Sequence, residues 1–468
     1  MSKVLPRSAA ACAALSVGLA LAPSACKRSQ PSGAGPAPAP SAALSALPPP
    51  EEPSRCRQLS GFSMTLTADA AADTPAPAVA VAPAADAAPA APSETGDDDA
   101  LLPFGVELGT AVATPRGFAA AGIRGAGQAF VAILNELDSR RVDLQVLHGD
   151  PETPALAAAG EDLLVGLRTT DAAGFAIKLA RVPREGGPEW GYEVSKLGRS
   201  VIGLELAVHA RRALLAYQSE DKGGSRLWLG SFSLDALKEP FEVRPLQVKD
   251  AEMPRLVARP GGFWLTWVHT LGEAKKAAKS AGGSAAVEDP EERDLLEVGL
   301  RVIEVAQLDE RGKLLAPPLR VGTPRPQVLL FDVAALASGS LLIAARSDSA
   351  TPGAESGAIL LSEVGLDGSV HEDRLESDEI GAGAPVLLVD TSAKLPAPWL
   401  VVSAPNDGTR VGLVRGASTT LLDDVRLGGA EVLAVSRGTF LTQRGRGRSA
   451  ELRALACDWP NEALAPQK

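Results

Sequence analysis

From residue 118 onward the apolar and polar positions of the chain fall into a repeating phrase. A strand of small residues leads through a short turn to an apolar strand; a polar turn, an alternating strand and a Gly or Asp turn then lead to a last strand. The apolar member recurs seven times: Phe130-Val-Ala-Ile-Leu134, Leu163-Leu-Val-Gly-Leu167, Ala213-Leu-Leu-Ala-Tyr217, Phe263-Trp-Leu-Thr-Trp267, Leu341-Leu-Ile-Ala-Ala345, Trp399-Leu-Val-Val-Ser403 and Thr439-Phe-Leu-Thr-Gln443. Each run is short, β-prone and bounded by Gly, Pro, Asp or Ser, as expected of an inner strand buried on both faces. The third and fourth strands also echo each other. Ala306-Gln-Leu-Asp-Glu-Arg-Gly-Lys313 and Val364-Gly-Leu-Asp-Gly-Ser-Val370 each put Asp and Gly at a hairpin turn between alternating strands. Helical periodicity is almost absent, and the chain reads as all-β.

Seven units of about 40 to 50 residues, four strands each, resemble a β-propeller, in which four-stranded blades pack around a central channel. The resemblance spans about residues 104 to 459 and is one of architecture, because no tryptophan-docking, kelch, WD or Asp-box signature is present. A pair of β-sandwiches is the alternative, since strand spacing alone fits both. The last unit ends after its third strand, 450–457, while Phe104 to Ala113 stands before the first small-residue strand where other units have a fourth. The expectation is therefore an N-terminal segment that closes the ring: 104–113 completes the last blade, and Gly61 to Thr67, within an N-terminal strand segment at 56–67, adds a further strand. The Ala-, Pro- and Asp-rich stretch 68–103 is expected as a disordered loop, and 460–468 as a tail. Its Asp97-Asp98-Asp99 run reads as solvated linker charge, because calcium needs spaced ligands from an ordered loop.

The N-terminus supplies an address. Lys3 and Arg7 precede an apolar stretch, 9–22, of the length of a signal-peptide core and short for a membrane span, so residues 1–25 read as an export signal. The stretch ends in Ala22-Pro23-Ser24-Ala25-Cys26, which resembles a bacterial lipobox at Ser24, Ala25 and Cys26 and departs from it at Pro23. The resemblance implies lipidation of Cys26 and anchoring to the cell envelope, with ordinary cleavage to a periplasmic or secreted soluble form as the alternative. Residues 26–55 are rich in Pro, Ala and Ser and read as an extended tether. With Cys12 lost in the signal and Cys26 acylated, Cys56 and Cys457 remain as an even pair, for which a disulfide is expected; two unrelated thiols are the other reading.

Charge and chemistry narrow the functional classes. The 468 residues carry 46 Lys plus Arg against 57 Asp plus Glu, a net charge of -11, opposite in sign to that of a general nucleic-acid binder. His148, His209, His269 and His371 lie in different units without metal-ligand spacing, and no nucleophile elbow, phosphate loop or dinucleotide fingerprint occurs, so neither metal nor cofactor is assigned. In propellers, loops joining second to third strands share a face with the blade-to-blade connections, and that face usually binds partners; the resemblance implies such a rim here. It would hold Glu136, Asp138, Asp171, Glu220, Asp221, His269, Asp348 and Asp407, together with an isolated basic loop bearing Arg444, Arg446 and Arg448. The longest of these loops, an insertion at 271–294, separates Lys275, Lys276 and Lys279 from a following acidic run. Two functions follow. The favoured one is a monomeric, envelope-anchored, non-enzymatic scaffold or assembly factor that binds a protein or peptide through one face. The alternative is a secreted hydrolase or lyase with convergent carboxylates at the channel mouth.

Overall fold

The computed structural model describes residues 56–68 and 104–457, other than 137, 149–150, 172–173, 196, 198–199, 222–223, 272–299, 326–329, 348–357, 377–383, 391–397, 405–407, 416–417, 427–429 and 446. The expected signal, tether, 69–103 loop, C-terminal tail and all but Leu271 of the charged insertion lie outside the described residues. Among the described residues twenty-eight strands form seven antiparallel four-stranded sheets, and the longest helical element is a three-residue turn, Leu234–Ala236. The protein is a seven-bladed β-propeller. Its blades span 104–146, 155–194, 202–245, 251–325, 331–376, 386–426, and 431–457 together with 56–67.

The first strand of each blade lies innermost: Phe104–Thr114, Ala155–Ala159, Ile202–His209, Ala251–Arg259, Phe331–Ala335, Val386–Val389 and Glu431–Ser436. Each touches its counterpart in the next blade, and the seventh touches the first, so the inner strands form a closed ring around the axis. Hydrophobic burial follows from this geometry. A strand's side chains alternate between two faces, and in a ring both faces meet a neighbouring blade, so second strands are apolar at most of their central positions. In the second strand of blade 4, Gly262–Leu271, Phe263, Leu265 and Trp267 pack with blade 3, whereas Trp264 and Val268 pack with blade 5. Seven such clusters, one per blade junction, replace a single central core. Each fully buried Leu, Phe or Val contributes about 1.5 to 3 kcal/mol.

Hydrogen bonds stitch the same junctions. Trp264 Nε1 donates to Gly339 O across to blade 5 at 2.8 Å, Asp332 of blade 5 accepts from Leu387 N of blade 6 at 2.8 Å, and Asp390 of blade 6 accepts from Gly438 N of blade 7 at 2.7 Å. Arg437 of blade 7 donates to Pro115 O of blade 1 at 3.3 Å. The two echoed hairpins form as expected. In each, an Asp carboxylate accepts backbone N–H groups inside its own turn: Asp309 takes Arg311 N and Lys313 N, both at 2.8 Å, and Asp367 takes Ser369 N at 3.0 Å. Gly312 and Gly368 supply the positive φ, 75° and 83°, that such turns require.

Closure of the ring differs from the sequence reading. Phe104–Thr114 does not complete the last blade: it pairs with Gly117–Gly125 and is the inner strand of blade 1. The fourth strand of the last blade is Cys56–Thr67, which pairs antiparallel with Ser449–Cys457. Cys56 stands opposite Cys457 in that ladder, and the two are joined by a disulfide that spans 401 residues of sequence. The physical reason is burial. Phe130–Leu134 lies in the third strand of blade 1, Gln128–Asn135, not the second, yet it is as apolar as a second strand: Phe130, Ala132 and Leu134 are buried in one cluster with Phe62 and Leu66 of the closing strand, and Ala129 and Val131 are buried against blade 2. Reading that strand as a second one displaces the whole first blade by one strand.

Candidate functional site

The displacement also moves two expected rim residues. Glu136 and Asp138 lie in the loop between the third and fourth strands of blade 1, hence on the face opposite the second-to-third loops. Both are exposed, and Asp138 N donates to Asn135 Oδ1 at 2.6 Å within the turn itself. The expected face, which also receives the blade-to-blade connections, is called the entry face below. Asp171 and Asp221 end the second strands of blades 2 and 3 on this face. Glu220 is exposed there, with its backbone N–H donating to Ser200 Oγ at 2.7 Å. Arg444 and Arg448 flank the second-to-third loop of blade 7, both exposed. Asp348, Asp407, Arg446 and Cys26 lie outside the described residues. Among the described residues, no hydrogen bond or ion pair links any two of the rim candidates.

The basic loop has a structural task that its charge conceals. Val106 N donates to Gly447 O at 2.6 Å and Ala68 N donates to Arg448 O at 2.9 Å, so the loop backbone holds the chain on both sides of the 69–103 stretch. Gly105 is required for this approach: a Cβ there would meet Gly447 O at 2.4 Å.

What converges at the entry face lies further in, on the inner strands. Glu205 of blade 3 and Asp332 of blade 5 sit in the first halves of their inner strands, on the side where the blade-to-blade connections enter, and Arg255 of blade 4 sits at the middle of the inner strand between them. Arg255 donates to Glu205 Oε1 at 2.9 Å and lies 6.0 Å from the centroid of the Phe331 ring. Both inner strands of the pair depart from regular ladder register immediately before these residues, between Ile202 and Glu205 and between Glu252 and Arg255, with Gly203 and Met253 at positive φ. Such bulges re-aim the side chains that follow them. Burial raises the Glu205 carboxyl from its ordinary 4.5 to about 7, outweighing the Coulombic and hydrogen-bonding help from Arg255, while Asp332 adds a smaller upward push. The Glu205 side chain keeps 25% of its surface exposed although it is densely surrounded by protein. The Asp332 carboxyl is likewise raised, by burial first, against the N–H groups of Leu387 and Val333 and the charge of Arg255.

Further out on blade 4, His269 Nδ1 lies 2.8 Å from Glu304 Oε1, and Arg320 Nε donates to the same oxygen at 3.1 Å. His269 thus belongs to a strut across the second, third and fourth strands of its blade, and does not stand free on the rim. Glu252 with Arg301, at 3.6 Å, and Glu152 with Arg168, at 2.9 Å, repeat the device. Among the described residues no three His, Cys, Asp or Glu side chains gather as a metal-binding group.

Reading the residues one by one did not find Glu205, Arg255 and Asp332. The only local signals are single charges inside short apolar strands, Leu-Glu-Leu and Phe-Asp-Val, beside Gly203 and Pro254. Their convergence leaves no spacing, because the ring brings together residues 50 positions apart for Glu205 and Arg255. The coupling has a pH signature. With a folded-state carboxyl above its unfolded value, the native state holds the extra proton between the two, so stability is fully present below about 4.5 and declines as pH rises through about 7. Wild type is expected to lose about 2 kcal/mol relative to Glu205→Gln between pH 5 and pH 8. Urea midpoints of the two proteins at both pH values test this; parallel pH profiles would show that Glu205 titrates normally.

No known family model matches the chain, and no curated protein matches it. Solved structures do. The polysaccharide lyase Uly1 superimposes with a TM-score of 0.50 at 10% identity, over 78% of this chain and 92% of that one. The β-propeller domain of the trilobed protease from Pyrococcus furiosus, described as having an open velcro topology, gives 0.37 at 11% identity, over 63% of this chain and 78% of that one. An alpha-L-arabinanase from Penicillium chrysogenum gives 0.40 at 12% identity, over 64% and 92%. At 10 to 12% identity these likenesses are of fold alone.

Proposed function

We propose that the chain is an exported, envelope-tethered β-propeller that binds a protein or peptide through its entry face and acts as a monomeric scaffold or assembly factor without catalysing a reaction. The observation that carries this reading is the commitment of the entry-face carboxylates. Glu152, Glu205, Glu252 and Glu304 each stand in an ion pair with an arginine, at 2.9, 2.9, 3.6 and 3.1 Å, so their charge braces strands and blades. A scaffold needs that rigidity and a rim of exposed side chains such as Glu220, Arg444 and Arg448. The disulfide supports export, because such bonds persist in oxidising compartments. The tether and lipid at Cys26 complete the reading.

A second reading has one observation behind it. Glu205, on an inner strand with its carboxyl raised to about 7 beside Asp332 and Arg255, has the chemistry of a general acid or base and supports the hydrolase or lyase reading. The two readings are separated by site-specific photo-crosslinking in the native host, with the probe at Glu220 on the entry face or at Glu136 on the opposite face. The scaffold reading expects one discrete adduct from Glu220 and none from Glu136. Turnover of a polysaccharide by the purified protein, lost in Glu205→Gln, would replace it with the enzyme reading. A diacyl or triacyl mass on Cys26 tests the tether.

A further inference from the structure

On the face opposite the channel mouth, a groove of about 740 Å³ runs between the outer parts of blades 3 and 4. Its floor is apolar, with Leu229, Leu246 and Leu314, and its walls are cationic, with Arg212, Arg244, Arg311 and Lys313 against a single acid, Glu242. That acid is already used, since Arg244 donates to it at 2.8 Å. No described residue pairs with the side chains of Arg212, Arg311 or Lys313, in a chain whose net charge is -11. Three unpaired cations around one concavity in an acidic protein form a local field of the opposite sign.

The backbone of the turn that carries Arg311 and Lys313 is fixed before any ligand arrives. Asp309 accepts the N–H groups of Arg311 and Lys313 inside the turn, and Ser231 Oγ of blade 3 donates to Glu310 O at 3.4 Å, tying the turn across the groove. Gly312 rests against Leu214, where a Cβ would come within 2.7 Å of Cδ1. The neighbouring acid, Glu310, stands outside the lining of the groove, 3.7 Å from His209 Nε2. A turn whose backbone is already fixed spares the cost of ordering a loop on binding.

We propose that this groove binds an extended acidic peptide segment, with carboxylates on Arg212, Arg311 and Lys313 and alternate apolar side chains on the leucine floor. Alternation in an extended strand places successive side chains on opposite sides, which matches a groove with charged walls and an apolar base. A sugar chain fits less well. Phe241, the one aromatic ring in the lining, is stacked on Phe232 at 4.7 Å and edge-on to Tyr192 at 5.5 Å, which leaves no open platform. A bilayer fits less well too, because the cations line a concavity that a planar surface does not enter.

The test uses the purified full-length chain and fluorescence anisotropy with a labelled eight-residue peptide of alternating Glu and Leu, against its Gln and Leu counterpart. The Glu peptide is expected to bind, to weaken with added salt, and to lose at least about tenfold in affinity in Arg311→Glu/Lys313→Glu. Arg184→Glu, exposed in the third-to-fourth loop of blade 2, is expected to leave binding unchanged, and because the groove lies away from the entry face the outcome is independent of the scaffold reading. Thermal melts establish that the variants fold; Arg311→Gln/Lys313→Gln, a milder pair, serves if the reversal does not. Equal binding of the Gln peptide, an unchanged double variant, or tighter binding of oligogalacturonate or of anionic phosphatidylglycerol vesicles overturns the proposal.

Discussion

Replacing Cys56 and Cys457 by serine is expected to lower stability by about 4 to 5 kcal/mol and to open the ring at its last blade. The bond crosses 401 residues, so in the chain-entropy account its loss releases nearly the largest loop this chain can form. Without it the closing strand retains its ladder with Ser449–Cys457 and the burial of Phe62 and Leu66, and both depend on a segment tethered at one end. The urea midpoint of the double-serine protein measures the loss. Hydrogen exchange locates it, with residues 56–67 and 449–457 expected to lose protection before any other blade. An unchanged midpoint would mean that strand pairing alone holds the ring shut.

Trp264→Ala is expected to cost about 3 to 5 kcal/mol, the range for deleting a large buried side chain. Trp264 is 1% exposed and packs among Val268, Ile303, Phe331, Leu341 and Ile343 at the junction of blades 4 and 5. Its Nε1 donates to Gly339 O of blade 5 at 2.8 Å, and the Arg259 guanidinium lies 5.6 Å from its ring centroid. Truncation therefore leaves a cavity and also orphans a carbonyl. Trp264→Phe separates the two contributions, because it keeps most of the packing and removes the hydrogen bond, for an expected loss of about 1 to 2 kcal/mol. If both variants melt with the wild type, the blade junctions are not the seat of stability in this ring, and the seven-cluster account of the core fails.

Much of the architecture was legible in the residues. Six of the seven apolar runs fall in second strands, where burial on both faces makes nearly every position apolar, and the Asp and Gly hairpins are local chemistry that any propeller or sandwich would show. The seventh run misled for a physical reason: Phe130–Leu134 is a third strand that the closing strand covers on its outer side, so burial, which is what hydrophobicity reports, did not distinguish the two positions. The error carried Glu136 and Asp138 to the wrong face, because strand order decides which end of a blade a loop occupies.

The candidate site was legible to a smaller extent. His269 stands out in the sequence as a histidine on a β-strand end, and only the fold gives it Glu304 and Arg320 as partners. Glu205, Arg255 and Asp332 lie on three different blades, and their shared surroundings exist because inner strands curve around an axis. The groove on the opposite face is likewise assembled from a turn in blade 4 and the outer strands of blade 3.

By itself, the sequence determined the class and repeat of the fold, since alternation, strand length and turn chemistry act between near neighbours in the chain. It also determined which two cysteines were available to meet, once the N-terminal ones are set aside. Only the tertiary structure decided which strand closes the ring, which face each loop occupies and which charges share a site. Those are relations between residues tens to hundreds of positions apart, set by ring closure and blade packing, and no periodicity along the chain encodes them.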